Sequence, residues 1–349
     1  MSDKKRIILE ANDLKTYFPM RRGLFQSVYG YKKAVDGVSF KVAAGETLGI
    51  VGESGCGKST LGKTIMRLIE PSGGALWYMP EKSDKNLDLF NLKSAGELFS
   101  YRKKFQMIFQ DPNLSLDPKW RAYDIVEEPL LVHNVCADKK KRSESVYALL
   151  EKVGISTEMA GRYPHEFSGG QKQRIGIARA LALNPEIIVA DEPVSALDVS
   201  VQAQVLNLMQ ELKKELGLTY IFISHNLSVI NYISDRVMVL YMGRVMEFAM
   251  CENFFKKQMH PYSKLLKDSI FTFEENSREK FLKKFERDEL MHKEVADLTV
   301  VDKNEVEKSG DYCFYNPRCN YKTDKCLKQR PRLIEIEEGR YVACHNYLK

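Results

Sequence analysis

One stretch constrains this chain more than any other: Gly52-Glu53-Ser54-Gly55-Cys56-Gly57-Lys58-Ser59-Thr60. It fits the phosphate-loop pattern G-x-x-x-x-G-K-[ST] without a mismatch. The residues before it, Thr47 to Val51, form a short apolar run of strand type. Those after it place Leu61, Ile65, Leu68 and Ile69 at helical spacing, which predicts a helix from Ser59 to Ile69. Strand, glycine-rich loop and helix are the order the chemistry needs. Glycines let successive backbone N–H groups turn inward around phosphates, and the helix aims its positive N-terminus at them. Lys58 is placed to neutralise β- and γ-phosphates, and the Ser59 hydroxyl to ligand Mg²⁺. A glycine turn that happens to carry a lysine would need neither flanking element.

Strands alternate with helical stretches along the rest of the chain. Strands are predicted at 7–14, 38–42, 106–110, 186–190, 219–224, 236–240 and 244–248, with a looser, aromatic-rich segment at 17–37. Residues 80–100 read as polar loop, 121–183 as mostly helical, and 199–216 as one helix. This alternation points to an α/β fold with a largely parallel sheet and sites at the carboxyl ends of its strands. The boundaries predicted are a main domain at 1–260 with a helical subdomain near 111–183, a charged helical linker at 261–310, and a separate extension at 311–349.

Composition adds limits. A hydrophobic content of 44% is ordinary for a globular protein. No run approaches the apolar length of a membrane span, and the N-terminus does not read as a signal core. The expectation is a cytosolic chain, or one held at a membrane only through other subunits. The net charge of +6 is too small to argue for a nucleic-acid partner.

Further candidate residues lie at strand and helix ends. Asp191 ends an apolar strand, where a carboxylate can hold Mg²⁺, and Glu192 beside it can act as a general base. Two such carboxylates also suit a surface turn, but Pro193 to Asp198 continues a fixed pattern and a phosphate loop exists for them to serve. His225 ends the following strand and could position water or a phosphate, although a lone histidine is more often structural. Ser168-Gly169-Gly170-Gln171 opens a helix and reads as a second phosphate-type site. One phosphate loop and two such sites suggest that two chains share a nucleotide. The segment 17–37 holds Tyr17, Phe18, Phe25, Tyr29 and Tyr31; an aromatic there could stack on an adenine base, against the plainer reading that these rings cover a sheet edge.

The last segment carries Cys313, Cys319, Cys326 and Cys344. Stable disulfides are rare in cytosolic proteins, so metal binding is the leading reading. Four thiolates suit zinc or an iron–sulfur cluster, and the lack of paired C-x-x-C knuckles favours [4Fe-4S] over Zn²⁺. Cys136 and Cys251 read as packing residues.

Taken together, Gly52 through Gln110, Phe167 to Gln171, Ile187 to Glu192, Ser195 to Asp198 and His225 resemble a complete ATP-binding cassette of the ABC family. Lys33 to Val38, Gly45 to Gly49, Gln110 to Pro118, Arg162 to Ser168 and His260-Pro261-Tyr262 further resemble ATPase subunits of bacterial oligopeptide and dipeptide importers, of the oligopeptide F or dipeptide F type. The resemblance implies an ABC-type nucleotide-binding fold: a RecA-like parallel core, an antiparallel edge sheet, a helical subdomain and a small cysteine-bearing extension. It implies that Gly52 to Thr60 is the Walker A loop, and that Gln110 senses Mg²⁺ and couples to the membrane subunit. Ser168 to Gln171 would be the signature, Asp191 the Walker B carboxylate, Glu192 the catalytic base, Asp198 the D-loop aspartate and His225 the switch histidine. The family's usual distance from Lys58 narrows the adenine-stacking aromatic to Tyr29 or Tyr31. It also implies ATP and Mg²⁺ as ligands, a paralogous ATPase partner, two transmembrane permease subunits and an extracellular solute-binding protein. The place of work would be the cytoplasmic face of the plasma membrane, as a peripheral subunit. The family has a C-terminal cysteine set resembling a cluster site, but here a charged segment replaces its proline-rich lead-in. A soluble ABC ATPase of the DNA-repair or translation class is the rival reading. It fits poorly, because the chain has one cassette and room for only a small helical subdomain between Gln110 and Ser168. A nickel or other small-solute importer is a second alternative.

Overall fold

The computed structural model describes residues 6–23, 25–81, 86–271, 300–302 and 311–348. These form two units. One is built from Met1–Leu9, Val42–Thr47 and Tyr78–Ser224, the other from Glu10–Lys41, Leu48–Trp77 and His225–Lys349.

The second unit begins with two long strands, β1 (Ile7–Arg22) and β2 (Ser27–Ala43), which lie mainly within it. The segment 17–37, read from sequence as loose, is strand at 17–22 and 27–37. Its burial alternates along much of β2, but lysines, tyrosines and glycines dilute the apolar signal that would have marked it. β3 (Thr47–Val51) is buried along its whole length and leads through the glycine loop into α1 (Lys58–Ile65). This helix stops short of the predicted Ile69, because the chain turns at Arg67 with φ 52°. β4 (Gly73–Tyr78) joins an edge sheet in which β11 (Val300–Asp302), β2, β1 and β4 are successive neighbours.

β3 runs parallel to β9 (Arg236–Tyr241), which pairs antiparallel with β10 (Arg244–Met250). Met242 and Gly243, both at positive φ, close the two-residue hairpin between them. The C-terminal segment joins the same sheet. β13 (Arg340–Val342) pairs with β10, and β12 (Ile334–Glu337) pairs with β13. The residues after 311 are thus hydrogen-bonded into this unit. Helices α8 (Leu227–Ile233), α9 (Cys251–Lys256), α10 (Pro261–Phe271) and the short α11 (Asp324–Lys328) complete it. Of the charged helical linker expected at 261–310, residues 261–271 form α10, and 272–299 and 303–310 lie outside the described residues.

In the first unit, β6 (Phe105–Ile108), β7 (Ile187–Asp191) and β8 (Thr219–Ile223) run parallel, with β7 central and buried throughout. A two-residue strand, β5 (Leu87–Asp88), precedes α2 (Ala95–Lys104). This helix falls within the stretch read as loop. Ser94 and Glu97 form a capping box at its start, a signal present in the sequence and overlooked there. The helical layer is α3 (Pro112–Ser115), α4 (Ala122–Val132), α5 (Lys139–Lys152) and α6 (Gly169–Leu181). α7 (Val199–Leu216) ends at Gly217, whose φ of 65° and N–H to the Lys213 carbonyl close the helix.

Candidate nucleotide-binding site

The phosphate loop belongs to the second unit. Gly57 sits at φ 106°, and a Cβ there would lie 2.1 Å from the Ala34 carbonyl oxygen, so only glycine fits. No side chain caps the first turn of α1, the end of a helix at which N–H groups can meet an anion. Lys58 is 5% exposed, and its Nζ donates to the carbonyls of Gly52 (2.8 Å) and Glu53 (2.9 Å). The ammonium is therefore held within the loop it would serve. Cys56 is buried beside it, and burial pushes its thiol pKa up. The loop is braced from outside. Gly243 N–H donates to the Cys56 carbonyl (2.8 Å), and the Tyr262 hydroxyl accepts the Glu53 N–H (2.9 Å).

Tyr262 comes from the His260-Pro261-Tyr262 motif at the start of α10 and is fully buried. His260 Nδ1 accepts the Tyr262 N–H (3.0 Å), and burial lowers the imidazole pKa to about 3, which keeps the acceptor neutral. A second brace is a buried ion pair. Arg244 donates to Asp36 through Nη2 (2.6 Å) and Nε (2.9 Å), Tyr17 Oη donates to the other carboxylate oxygen (2.6 Å), and the Phe314 ring lies 3.8 Å from the guanidinium. Sequence reading found neither brace, because each joins residues far apart in the chain. Tyr29 and Tyr31 sit two positions apart on β2 and so share one face of that strand; Tyr29 is exposed and Tyr31 half-buried. His225 is exposed just before α8, where Asn226 caps the helix by accepting the Ser228 N–H.

The first unit gathers a different set. Asp191, at the end of β7, is buried. Glu192 adopts φ 48°, with its N–H donating to the Ile223 carbonyl (2.9 Å) and its carbonyl accepting from Ser195 Oγ (3.1 Å). The Gln110 amide donates to Glu192 Oε2 (3.2 Å), so the glutamine after β6 and the carboxylate after β7 meet. A carboxylate held there by a neutral amide can accept a proton from water.

The Ser168 to Gln171 motif is a capping box. Ser168 Oγ accepts the Gln171 N–H, and the Gln171 side chain accepts the Ser168 N–H. Ser168 and Gly169 are exposed, whereas Gly170 is buried. A Cβ at Gly170 would lie 2.3 Å from Val201 Cγ1, so this glycine lets α6 approach α7. Asp198 stands exposed before α7, and Gln202 steadies the preceding turn by donating to the carbonyls of Val194 and Leu197. Lys172 donates to Asn113 (2.8 Å) and Arg179 to the Ser115 carbonyl (2.6 Å), tying α6 to the segment that follows Gln110.

The chain is similar to known proteins along most of its length. Residues 35–195 match the family model described as ABC transporter. Residues 246–326 match the one described as oligopeptide/dipeptide transporter, C-terminal region. The oligopeptide transport ATP-binding protein AppF of Bacillus subtilis is 48% identical, with 97% of each chain covered. The chain belongs to the ABC transporter ATP-binding family, in its oligopeptide/dipeptide branch. The dipeptide transport ATP-binding protein DppF of Haemophilus influenzae is 44% identical, covering 97% of this chain and 96% of that one. Among solved structures, the dimeric post-hydrolysis cassette MJ0796 bound to ADP and Pi matches with 28% identity and a TM-score of 0.60. The match covers 70% of this chain and 99% of that one. The fold is that of an ABC ATPase, and the chain is an ATP-binding ATPase. These end-to-end matches to transport proteins set aside the repair or translation class. Among the described residues no helix is long and apolar enough to cross a membrane.

In this ABC protein the Cys313 N–H donates to the Cys326 carbonyl (2.9 Å), which brings two of the four C-terminal cysteines together. Yet among the described residues no group of three or more His, Cys, Asp or Glu side chains is gathered as a metal site. The expected [4Fe-4S] or zinc ligand set is therefore not preassembled. A physical reason is at hand. Burial, with a smaller contribution from neighbouring sulfurs, raises the Cys313 thiol to about 12 and the Cys344 thiol to about 11, so both stay protonated without a cation to replace the proton. The donors nonetheless suit thiolates. Backbone N–H groups of Tyr321, Thr323 and Asn346 point at the sulfurs of Cys319, Cys326 and Cys344 at 3.4, 3.5 and 3.4 Å. Sulfur-directed amides of this kind are among the means by which proteins stabilise bound thiolates.

Proposed function

We propose that this chain is the ATP-hydrolysing subunit of a peptide importer. It would pair with a paralogous ATPase subunit at the cytoplasmic face of the plasma membrane, under two permease subunits supplied by an extracellular solute-binding protein. The hydrogen bond between Gln110 and Glu192 carries the hydrolytic part of this reading. It joins the residue expected to contact the membrane subunit to the residue expected to activate water. Near-full-length similarity to oligopeptide and dipeptide transport proteins supports peptides over nickel as cargo.

On this reading the amides from Gly52 to Thr60 and the Lys58 ammonium bind the triphosphate, and Tyr29 or Tyr31 stacks on adenine. Ser59, Gln110 and Asp191 hold Mg²⁺, which supplies charge neutralisation at the phosphates. Glu192 takes the proton of the attacking water and His225 orients the γ-phosphate. The exposed Ser168 and Gly169, with Gly170 and Gln171 behind them, serve the nucleotide held by the partner, and Asp198 lines that contact. The four cysteines bind a [4Fe-4S] cluster, with zinc as the alternative; the amide donors aimed at three of the sulfurs support thiolate ligation.

Uptake of labelled peptides by cells lacking this chain, complemented with wild type or Glu192→Gln, tests the transport assignment. Uptake that needs the chain and fails with the variant supports it; uptake indifferent to the deletion refutes it. Iron, acid-labile sulfide and zinc content of protein purified without oxygen tests the cluster. About four irons and four sulfides per chain, lost on Cys319→Ser, are expected. One zinc would select the alternative, and no metal would refute both.

A further inference from the structure

Glu53 is an acidic residue in a loop that must receive several negative charges. A carboxylate beside bound phosphates opposes binding unless something neutralises it. In this chain the neutralising group comes from the cysteine segment. Arg318 grips Glu53 with two parallel hydrogen bonds, Nη1 to Oε2 at 2.8 Å and Nη2 to Oε1 at 2.9 Å. This is the bidentate geometry in which arginine and carboxylate pair most strongly. The pair is sheltered, with the Arg318 side chain 4% exposed and that of Glu53 20%.

The guanidinium also lies 6.0 Å from the ring centres of Tyr241 and Tyr315. Tyr315 packs against Tyr241 and Tyr262, and Tyr262 is the residue whose hydroxyl takes the Glu53 N–H. Both the charge and the amide of Glu53 are thus held by one aromatic cluster that the cysteine segment completes. Arg318 sits in the loop between Cys313 and Cys319. That loop turns on itself through the Asn316 N–H to the Cys313 carbonyl (3.0 Å).

We propose that Arg318 is a positioning residue for the phosphate loop: it neutralises Glu53, so nucleotide affinity depends on the seating of the cysteine segment. The chemistry at the thiols would reach the loop by the same route, a step that rests on the metal-binding reading above. A change that unseats the cysteine segment would withdraw Arg318 and leave Glu53 facing the phosphates.

The test is a double-mutant cycle on the full chain, read by titration with a fluorescent ATP analogue. Arg318→Ala should weaken binding on the order of 10- to 30-fold, the effect of one uncompensated charge near the phosphates. Arg318→Lys should recover part of the loss, as a point charge without the fork. In the Glu53→Gln background the Arg318→Ala effect should shrink to about twofold, because no carboxylate remains to be held back from the phosphates. An arginine that merely stabilised the fold would weaken binding equally in both backgrounds, and that result overturns the proposal. Should Arg318→Ala not fold, Arg318→Gln in the same cycle decides the question. Cys319→Ser extends the test to the segment: binding should weaken with Glu53 present and much less with Glu53→Gln. Equal weakening in the two backgrounds overturns the transmission. The arginine cycle is read whatever metal the segment holds, so failure of the cluster reading and failure of this one are distinguishable.

Discussion

The buried pair of Arg244 and Asp36 offers a demanding test of how the phosphate loop is supported. Both side chains are only 5% exposed. Asp36 N–H donates to the Gly243 carbonyl, and Gly243 N–H donates to Cys56, so the pair stands one residue from the loop's own scaffold. Replacing Arg244 by methionine fills similar space but strands a carboxylate away from water. Breaking a buried pair in this way costs about 3–5 kcal/mol. Adding Asp36→Asn should recover about 1–2 kcal/mol, since the amide oxygen can still accept from Tyr17 and no buried charge remains.

The pH dependence sharpens this prediction. Burial pushes the Asp36 pKa up, but the Arg244 charge and the Tyr17 hydroxyl outweigh it and hold the carboxyl below its usual range. A depressed carboxyl contributes stability that is present above its unfolded pKa of about 3.9 and lost as pH falls through the folded value. In Arg244→Met burial is opposed only by the hydroxyl and the weaker Lys33 charge, so the folded pKa rises. The deficit relative to wild type should then widen between about pH 4 and pH 6. Urea unfolding followed by Trp77 fluorescence in a Trp120→Phe background reads the unit that contains the pair. A deficit below about 1 kcal/mol, or one unchanged from pH 4.5 to 7, would refute the assignment of Arg244 as the compensating charge.

Other outcomes follow from the described geometry. Glu192→Gln should lower ATP hydrolysis at least about 100-fold while nucleotide binding persists, and ordinary turnover would remove Glu192 from the base role. Gly170→Ala forces a methyl against Val201 and should cost about 1–3 kcal/mol in thermal unfolding, with Val201→Ala restoring much of it; an innocuous Gly170→Ala would show that α6 and α7 do not need their close approach. Gly169→Ala, whose new carbon would meet Leu197 at 3.3 Å, should be milder in the same assay. Arg179→Ala unties α6 from Ser115 and should impair transport more than ATP binding, whereas equal losses in both would assign it a purely structural role.

The motifs that carry chemistry were legible because each is local. A phosphate loop must follow a strand and precede a helix, and the residues from Thr47 to Ile65 say so within one short window. β7, α7 and β8 were equally plain, since apolar runs and a long periodic helix leave few alternatives. Strands were expected at 7–14 and 38–42, but the rest of β1 and β2 was missed because its polar and aromatic residues make an edge sheet look like loop. α2 was missed although Ser94 and Glu97 announce it, because its apolar stripe is weak. What no window could reveal is pairing across the chain. Glu53 and Arg318 are 265 positions apart, and nothing beside either one names the other. The cysteines present the opposite case: their spacing was legible, but the arrangement of free thiols differs from what a ligated set would require.

Glu192 also bears on how such a protein changes over generations. Its left-handed backbone, φ 48°, is a conformation that side chains with a Cβ adopt at a cost of about 1–2 kcal/mol and that glycine adopts freely. Exchange to glycine at this one position would make the fold more robust while removing the carboxylate. Selection for robustness and selection for turnover therefore pull in opposite directions here. A lineage relieved of the need to hydrolyse ATP would be expected to lose this acid early, long before the loop that binds the nucleotide decays.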